Sequence, residues 1–317
     1  MESTQATGNT WTKEISDDGA FVRNPTNFHG RVSKDPKALH AAEPGRYHLF
    51  VFLACPWAHR TLIVRALKGL EKVISVDVVH PYLTDSGWSF DTNFPGTTGD
   101  SIGGHSHLQH IYRQVSPDYT GIITVLVLWD KKLGTIVNNE SEEIIRMLNT
   151  EFQQMAVRPE LDLYPSALQA AIDDTNAWVY PSINNGVYRS GFAQSQNAHE
   201  GAVNELFAAL DRAESILSRQ AFLCGDVLTE SDVRLFTTLI RFDAVYHTHF
   251  KCNRQLIAEY PAMLRYMARI YHLQGVAATV DLDHIRFHYY YSHRHINPTG
   301  IVPQGPDILK QLAVAQA

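Results

Sequence analysis

The sequence predicts an α/β N-terminal domain followed by an all-helical C-terminal domain. Two observations carry this expectation. Over residues 46–79, two apolar runs suited to strands flank a segment that reads as helix, which is a βαβ pattern. After Pro165 the apolar residues recur at helical spacing through 166–180, 199–218, 230–248 and 254–273. A chain of 317 residues has room for both units, and 44% hydrophobic content supplies each with a core.

Residues 1–45 are polar, with Gly and Pro, and read as an extended N-terminal arm. The α/β domain is expected over 46–150. Residues 46–53 read as a buried strand, and Trp57 to Gly69 as a helix closed by its glycine. Val73 to Val79 is the second strand. Residues 82–120 break the pattern with Gly, Ser, Thr, Asn and His and read as a long irregular insertion. Ile122 to Trp129 is a third strand, Asp130 to Gly134 its turn, and Thr135 to Val137 the return strand. A helix follows from about Glu140 to Leu148, with Asn139 and Glu142 spaced as a capping box. The helical domain is expected over 164–317. Thr229 and Asp232 mark one of its helix starts. Its end, from Asp283, is too aromatic and too punctuated for a continuous helix.

The feature richest in chemistry is Cys55. It ends an apolar run, and Pro56 follows at the start of a helix, where the missing N–H of proline costs nothing. Free backbone N–H groups and the helix dipole at that junction favour thiolate over thiol. Position 58, where a dithiol motif carries its second cysteine, is Ala58. The sulfur is therefore expected to need an external thiol to resolve a mixed disulfide. Cys224 and Cys252 lack any such context and read as ordinary.

Composition excludes several classes. Net charge is −6 and no basic tract occurs, which argues against nucleic acid and against an anionic membrane. No apolar run approaches the ~20 residues of a membrane span. The first twenty residues lack a signal peptide's apolar stretch. Three cysteines are too few for a disulfide framework and suit a reducing compartment, so the expected location is cytoplasmic. Sixteen histidines include His105 with His107, His284 with His288, and His293 with His295, but no cysteine or acidic set completes a metal site. No metal is expected.

The order of units, followed by an all-helical half, is similar to the glutathione transferase fold. Five motifs narrow the resemblance. They are Cys55-Pro56-Trp57-Ala58, Asp85-Ser86-Gly87-Trp88, Asn138-Asn139-Glu140-Ser141, Asn185-Gly186-Val187-Tyr188, and the tail Asn297-Pro298-Thr299-Gly300-Ile301-Val302-Pro303. Together they resemble the glutathionyl-hydroquinone reductases, the Xi class of that superfamily. The resemblance implies a thioredoxin-like first domain that binds glutathione. It implies that Glu140 and Ser141 hold the γ-glutamyl end, that Trp88 walls the ligand, and that Thr124 and Val125 lie along its peptide. It further implies Tyr188 as proton donor and Tyr246 and Tyr289 as a pair that hydrogen-bonds near the sulfur. The chain departs from the family at Ile122, normally arginine, and at Leu126, normally a cis proline. A cis bond before leucine costs about 2.5–4 kcal/mol, so a trans bond is expected there.

The activity implied is glutathione-dependent reduction of glutathionyl-hydroquinones or related aromatic glutathione conjugates, by a homodimer. Two other readings use the same residues. One is an omega-like thiol transferase or dehydroascorbate reductase with Cys55 as nucleophile. The other is a non-catalytic binder of aromatic ligands with impaired glutathione binding.

Overall fold

The computed structural model describes residues 15–315. The central sheet has the strand order β2 (Ser75–Val78), β1 (Tyr47–Val51), β5 (Val127–Asp130), β6 (Thr135–Asn138). Strand β1 pairs in parallel with β2 and antiparallel with β5, which pairs antiparallel with β6. Every residue of β1 is buried, as expected of a central strand covered on both faces. Helix α1 (Pro56–Lys68) has Pro56 in its first turn and ends at Gly69, whose φ of 69° is the left-handed conformation that closes a helix. Helix α3 (Ser141–Thr150) packs against α1.

Two local expectations are corrected. The third strand begins only at Val127, not at Ile122. Its pairing with β1 stops at the Phe50–Val127 register, and Thr124 is tied instead to Tyr112 and Asn139. The insertion 82–120 is not irregular throughout. It holds a two-residue hairpin, β3 (Leu83–Thr84) and β4 (Gly87–Trp88), and helix α2 (Leu108–Val115). Leu108, Ile111 and Tyr112, at i, i+3 and i+4, form the buried face of α2.

The second half is helical: α4 (Gln169–Val179), α5 (Gly186–Phe192), α6 (Gln196–Leu217), α7 (Glu230–Arg241), α8 (Pro261–Tyr271), α9 (Leu282–Phe287) and α10 (Ile308–Ala315). Helix α7 is buried along its whole length and packs on α1, joining the two domains. Its start is fixed by the Thr229–Asp232 box, with Asp232 Oδ2 accepting from Thr229 N at 2.8 Å. Three single π turns interrupt the helices, at Tyr180–Asn184, Phe242–Tyr246 and His288–Ser292. The aromatic end is therefore more helical than expected, since α9 runs straight into the third π turn. The described part of the arm is extended and spans both domains. Gly30 N donates to Val137 O at 2.8 Å, and Gly19 O accepts from Gln194 N at 2.8 Å.

Candidate active site

A cavity of about 530 Å³ opens between the two domains, and Cys55 lies on its wall. The sequence puts it there in a simple way. Strand β1 ends at Val51, a short turn follows, and Cys55 becomes the N-cap of α1 with extended φ and ψ of −73° and 120°. Its Sγ accepts from Ala58 N at 3.5 Å, the expected use of a free helical N–H. Its thiol also donates to Val125 O at 3.5 Å.

Burial pushes the Cys55 thiol above its ordinary value. The Ala58 N–H, the Arg241 charge, the Trp57 N–H and the Arg23 charge oppose this without overcoming it. Burial here works against the helix N-terminus, an opposition that the sequence alone does not show. The cap supplies donors, but the walls that enclose the sulfur remove water.

Among nearby charges, Arg241 has the largest effect on the cysteine. It is fully buried at the end of α7 and donates to Ala54 O at 2.8 Å, Leu53 O at 2.9 Å and Thr237 O at 2.7 Å. It thereby clamps the turn that carries Cys55. It also donates to His59 Nδ1 at 3.0 Å, so His59 uses Nε2 as donor to Thr279 Oγ1 at 2.8 Å. Burial and then Arg241 hold the pKa of His59 well below its usual value, and the ring is neutral.

Three tyrosines converge. Tyr188 Oη and Tyr289 Oη are 2.6 Å apart, and Tyr246 Oη lies 3.2 Å from Tyr289 Oη. Tyr188 and Tyr289 line the cavity with Cys55. Tyr246 is fully buried behind them. Two of the three sit in π turns and Tyr188 follows the third, and such turns often mark functional sites. Burial raises all three phenols, with Cys55 as the second cause at Tyr188. The hydrogen bonds of Cys55 Sγ go to backbone atoms of Ala58 and Val125, whereas Tyr246 and Tyr289 bond to hydroxyls.

Glu140, Ser141, Trp88, Thr124 and Val125 all line the same cavity. Glu140 is the N-cap of α3, with its carboxylate accepting from Glu142 N at 3.2 Å. The expected Asn139–Glu142 box is absent. Asn139 is turned inward, accepting from Phe28 N at 3.1 Å and donating to Thr124 Oγ1 at 3.0 Å. Trp88 is 9% exposed and lies against Phe52 and His288. The Val125–Leu126 peptide is trans, and Leu126 is buried.

Sequence reasoning missed four residues of this region. Arg23, from the arm, lies over the rings of Trp57 and Tyr188 at 5.0 and 5.2 Å and donates to Asn185 Oδ1 at 3.2 Å. His288 lines the cavity and donates through Nδ1 to Pro81 O at 3.0 Å. Burial depresses its pKa to about 4, so it is neutral near pH 7. Arg60 and Arg241 could have been noticed as charges inside apolar helical runs. Arg23 and His288 carry no such signal. Among the described residues no group of three His, Cys, Asp or Glu side chains converges to hold a metal. No helix among them is long and apolar enough to cross a membrane.

Comparison with known proteins matches residues 54–151 to the glutathione S-transferase N-terminal domain and residues 196–269 to the glutathione S-transferase C-terminal domain. The glutathionyl-hydroquinone reductase YqjG of Escherichia coli is 50% identical, over 94% of this chain and 92% of that protein. The glutathionyl-hydroquinone reductase PcpF of Sphingobium chlorophenolicum is 49% identical, over 93% of both. Among solved structures, the glutathione-S-transferase Xi of Phanerochaete chrysosporium superposes with a TM-score of 0.90 at 49% identity, covering 92% of this chain and 94% of that one. The glutathione-bound structure of YqjG superposes with a TM-score of 0.86 at 51% identity, covering 89% and 94%.

Proposed function

This chain belongs to the Xi class of glutathione transferases, the class of the glutathionyl-hydroquinone reductases, and we propose that it reductively cleaves the thioether of glutathionyl-hydroquinones. The observation that carries the reading is one thiol, Cys55, at a helix N-terminus on a cavity that also presents the paired hydroxyls of Tyr188 and Tyr289. Ala58 leaves that thiol without a resolving partner in its own motif.

Glutathione would lie with its γ-glutamyl end at Glu140 and Ser141, its peptide along Thr124 and Val125, and Trp88 as a wall. The Val125 carbonyl is held by the Cys55 thiol, and loss of that proton frees it to accept from the peptide. A thiolate does not readily expel an aryl carbon. If the hydroquinone first tautomerises to a ketone, the carbon–sulfur bond stands beside a carbonyl. Cys55 thiolate then attacks the glutathione sulfur and the carbon–sulfur bond breaks. Its electron pair passes into the ring as an enolate, and Tyr188 donates a proton to that oxygen. The hydroquinone leaves, and Cys55 remains as a mixed disulfide. The thiolate of a second glutathione attacks the glutathionyl sulfur, releasing oxidised glutathione and regenerating Cys55 thiolate.

The test is turnover of a glutathionyl-hydroquinone, followed by oxidised glutathione. Cys55→Ser should abolish it, because a hydroxyl forms no mixed disulfide. Near-normal turnover by the serine variant would end the proposal. Tyr188→Phe should slow carbon–sulfur cleavage by about 10²–10³ and leave reduction of the mixed disulfide almost unchanged. Equal slowing of both half-reactions would make Tyr188 structural. A second reading draws on the glutathione S-transferase omega-like 2 of Schizosaccharomyces pombe, 48% identical over 92% of this chain. It is thiol transfer or dehydroascorbate reduction by the same cysteine, and dehydroascorbate in the same assay separates the two. We further propose a cytoplasmic homodimer, and light scattering should give twice the mass of one chain.

A further inference from the structure

Arg60 lies on α1, five residues after Cys55, and is 1% exposed. Its partners are few and neutral. Its Nη2 donates to Asn184 Oδ1 at 2.9 Å, its Nη1 reaches Ser141 Oγ at 3.4 Å, and its guanidinium lies 4.3 Å from the centre of a Trp57 ring. Its Nε is buried with no hydrogen-bond partner among the described residues. No carboxylate among the described residues stands within 4.0 Å of it. Glu140 and Glu142 favour its charge from a distance, but their hydrogen bonds go elsewhere, Glu142 to Arg234 at 3.0 Å and Glu140 to the cap of α3. Burial first, and then Arg234, push the pKa of Arg60 down to about 9, which leaves it charged at neutral pH. Desolvating such an ion costs several kcal/mol unless an opposite charge meets it.

The Arg60 charge lies behind Ser141, a residue of the cavity wall at the N-terminus of α3. Beside it, Glu140 presents a carboxylate on the same wall. One positive and one negative group at a helix N-terminus match the two charges of an amino acid's α-carbon. We propose that Arg60 is the buried counter-charge for the α-carboxylate of the γ-glutamyl end of glutathione, acting through Ser141 and across the helix N-terminus. Arg60 is then a positioning residue that orients Ser141 and makes the site select for that carboxylate. This inference rests on the placement of glutathione under Proposed function.

Three probes test it by calorimetric titration: glutathione, 4-aminobutyryl-cysteinyl-glycine, which lacks the α-carboxylate, and glutaryl-cysteinyl-glycine, which lacks the α-ammonium. The native chain should bind the 4-aminobutyryl peptide on the order of 10- to 100-fold more weakly than glutathione, the range of a charge-assisted contact. In Arg60→Met that discrimination should fall to roughly threefold or less, since a neutral hydroxyl and N–H groups remain. The penalty for the glutaryl peptide should persist, because it belongs to Glu140. A merely structural role for Arg60 would move both penalties together. Native-like discrimination by Arg60→Met overturns the proposal while leaving the glutathione placement intact. Absence of carboxylate discrimination in the native chain overturns the placement itself. Should Arg60→Met fail to fold, Arg60→Lys keeps the charge at shorter reach and should retain part of the discrimination. Its complete loss there also overturns the proposal.

Discussion

Arg46, at the end of the central strands β1 and β5, and Arg60, at the domain interface, are both buried, and they are balanced in opposite ways. Arg46 meets Asp130 through two bonds of 2.9 and 2.5 Å, Glu43 at 2.8 Å and the Leu39 carbonyl at 2.7 Å. His40 adds a contact of 2.8 Å to Asp130. Every charge there has its opposite inside the protein. Arg60 and Arg241, under the cavity, have hydroxyl, amide, imidazole and carbonyl partners instead. The difference follows from what each region does. A strand end that only holds shape can close its charge balance in the folded chain. Under the proposed function, the site receives a carboxylate and forms a thiolate, so it holds positive charge in advance of the anion and bears the desolvation until it arrives.

The comparison can be broken most directly at its matched end. Asp130→Asn removes the buried partner of Arg46 and leaves it only the half-exposed Glu43, and should lower the unfolding free energy by about 3 kcal/mol in urea denaturation. Arg60→Met removes a cation with no carboxylate partner and should cost only about 1 kcal/mol, one hydrogen bond to Asn184. Equal losses in the two variants would show that the interface cation is structural after all.

A next smaller effect is expected at Arg241. Its charge favours the Cys55 thiolate against burial, so Arg241→Met should raise the cysteine's pKa further. Alkylation of Cys55 near pH 7 should then be roughly tenfold slower, since a neighbouring opposite charge commonly moves a pKa by a unit or more. A rate that falls with no displacement of its pH profile would instead mean that the clamp on Leu53 and Ala54 was lost.

The smallest effect is in the acid limb. Burial raises the Asp130 carboxyl, but the Arg46 and His40 bonds outweigh it and its pKa lies below the ordinary carboxylate range. The stabilisation is thus fully present above the unfolded value of about 3.9 and is lost as pH falls through the folded value. Urea midpoints measured from pH 5 downward should decline in the native chain and decline less in Asp130→Asn. Parallel curves would remove Asp130 from the account.

How far the sequence could be read differs between the two domains. Cys55, Pro56 and Gly69 are local signals, since a cap, a first-turn proline and a left-handed glycine act within one turn of helix. They placed α1 to within a residue or two. The Asn139–Glu142 spacing was equally local and misled, because Asn139 found better partners in Phe28, Thr124 and Tyr112 than in its own helix. The irregular reading of 82–120 failed for a related reason. Its glycines hid α2, whose apolar face has only Leu108, Ile111 and Tyr112 to announce it.

By itself the sequence determined the order of elements, the helix-capping cysteine without a second thiol in its motif, and the motifs that carry the family. Those depend on neighbours within a few residues and on hydrophobic spacing. Only the tertiary structure decided which charges stand behind the cysteine, that Tyr289 joins Tyr188 to Tyr246, and that burial lifts the thiol that the helix would lower. Arg241 is 186 residues from Cys55 along the chain, and no local rule connects them. Their contact exists because α7 packs on α1. Electrostatics in a buried site depends on distance and lost water, and both are set by packing rather than by sequence order.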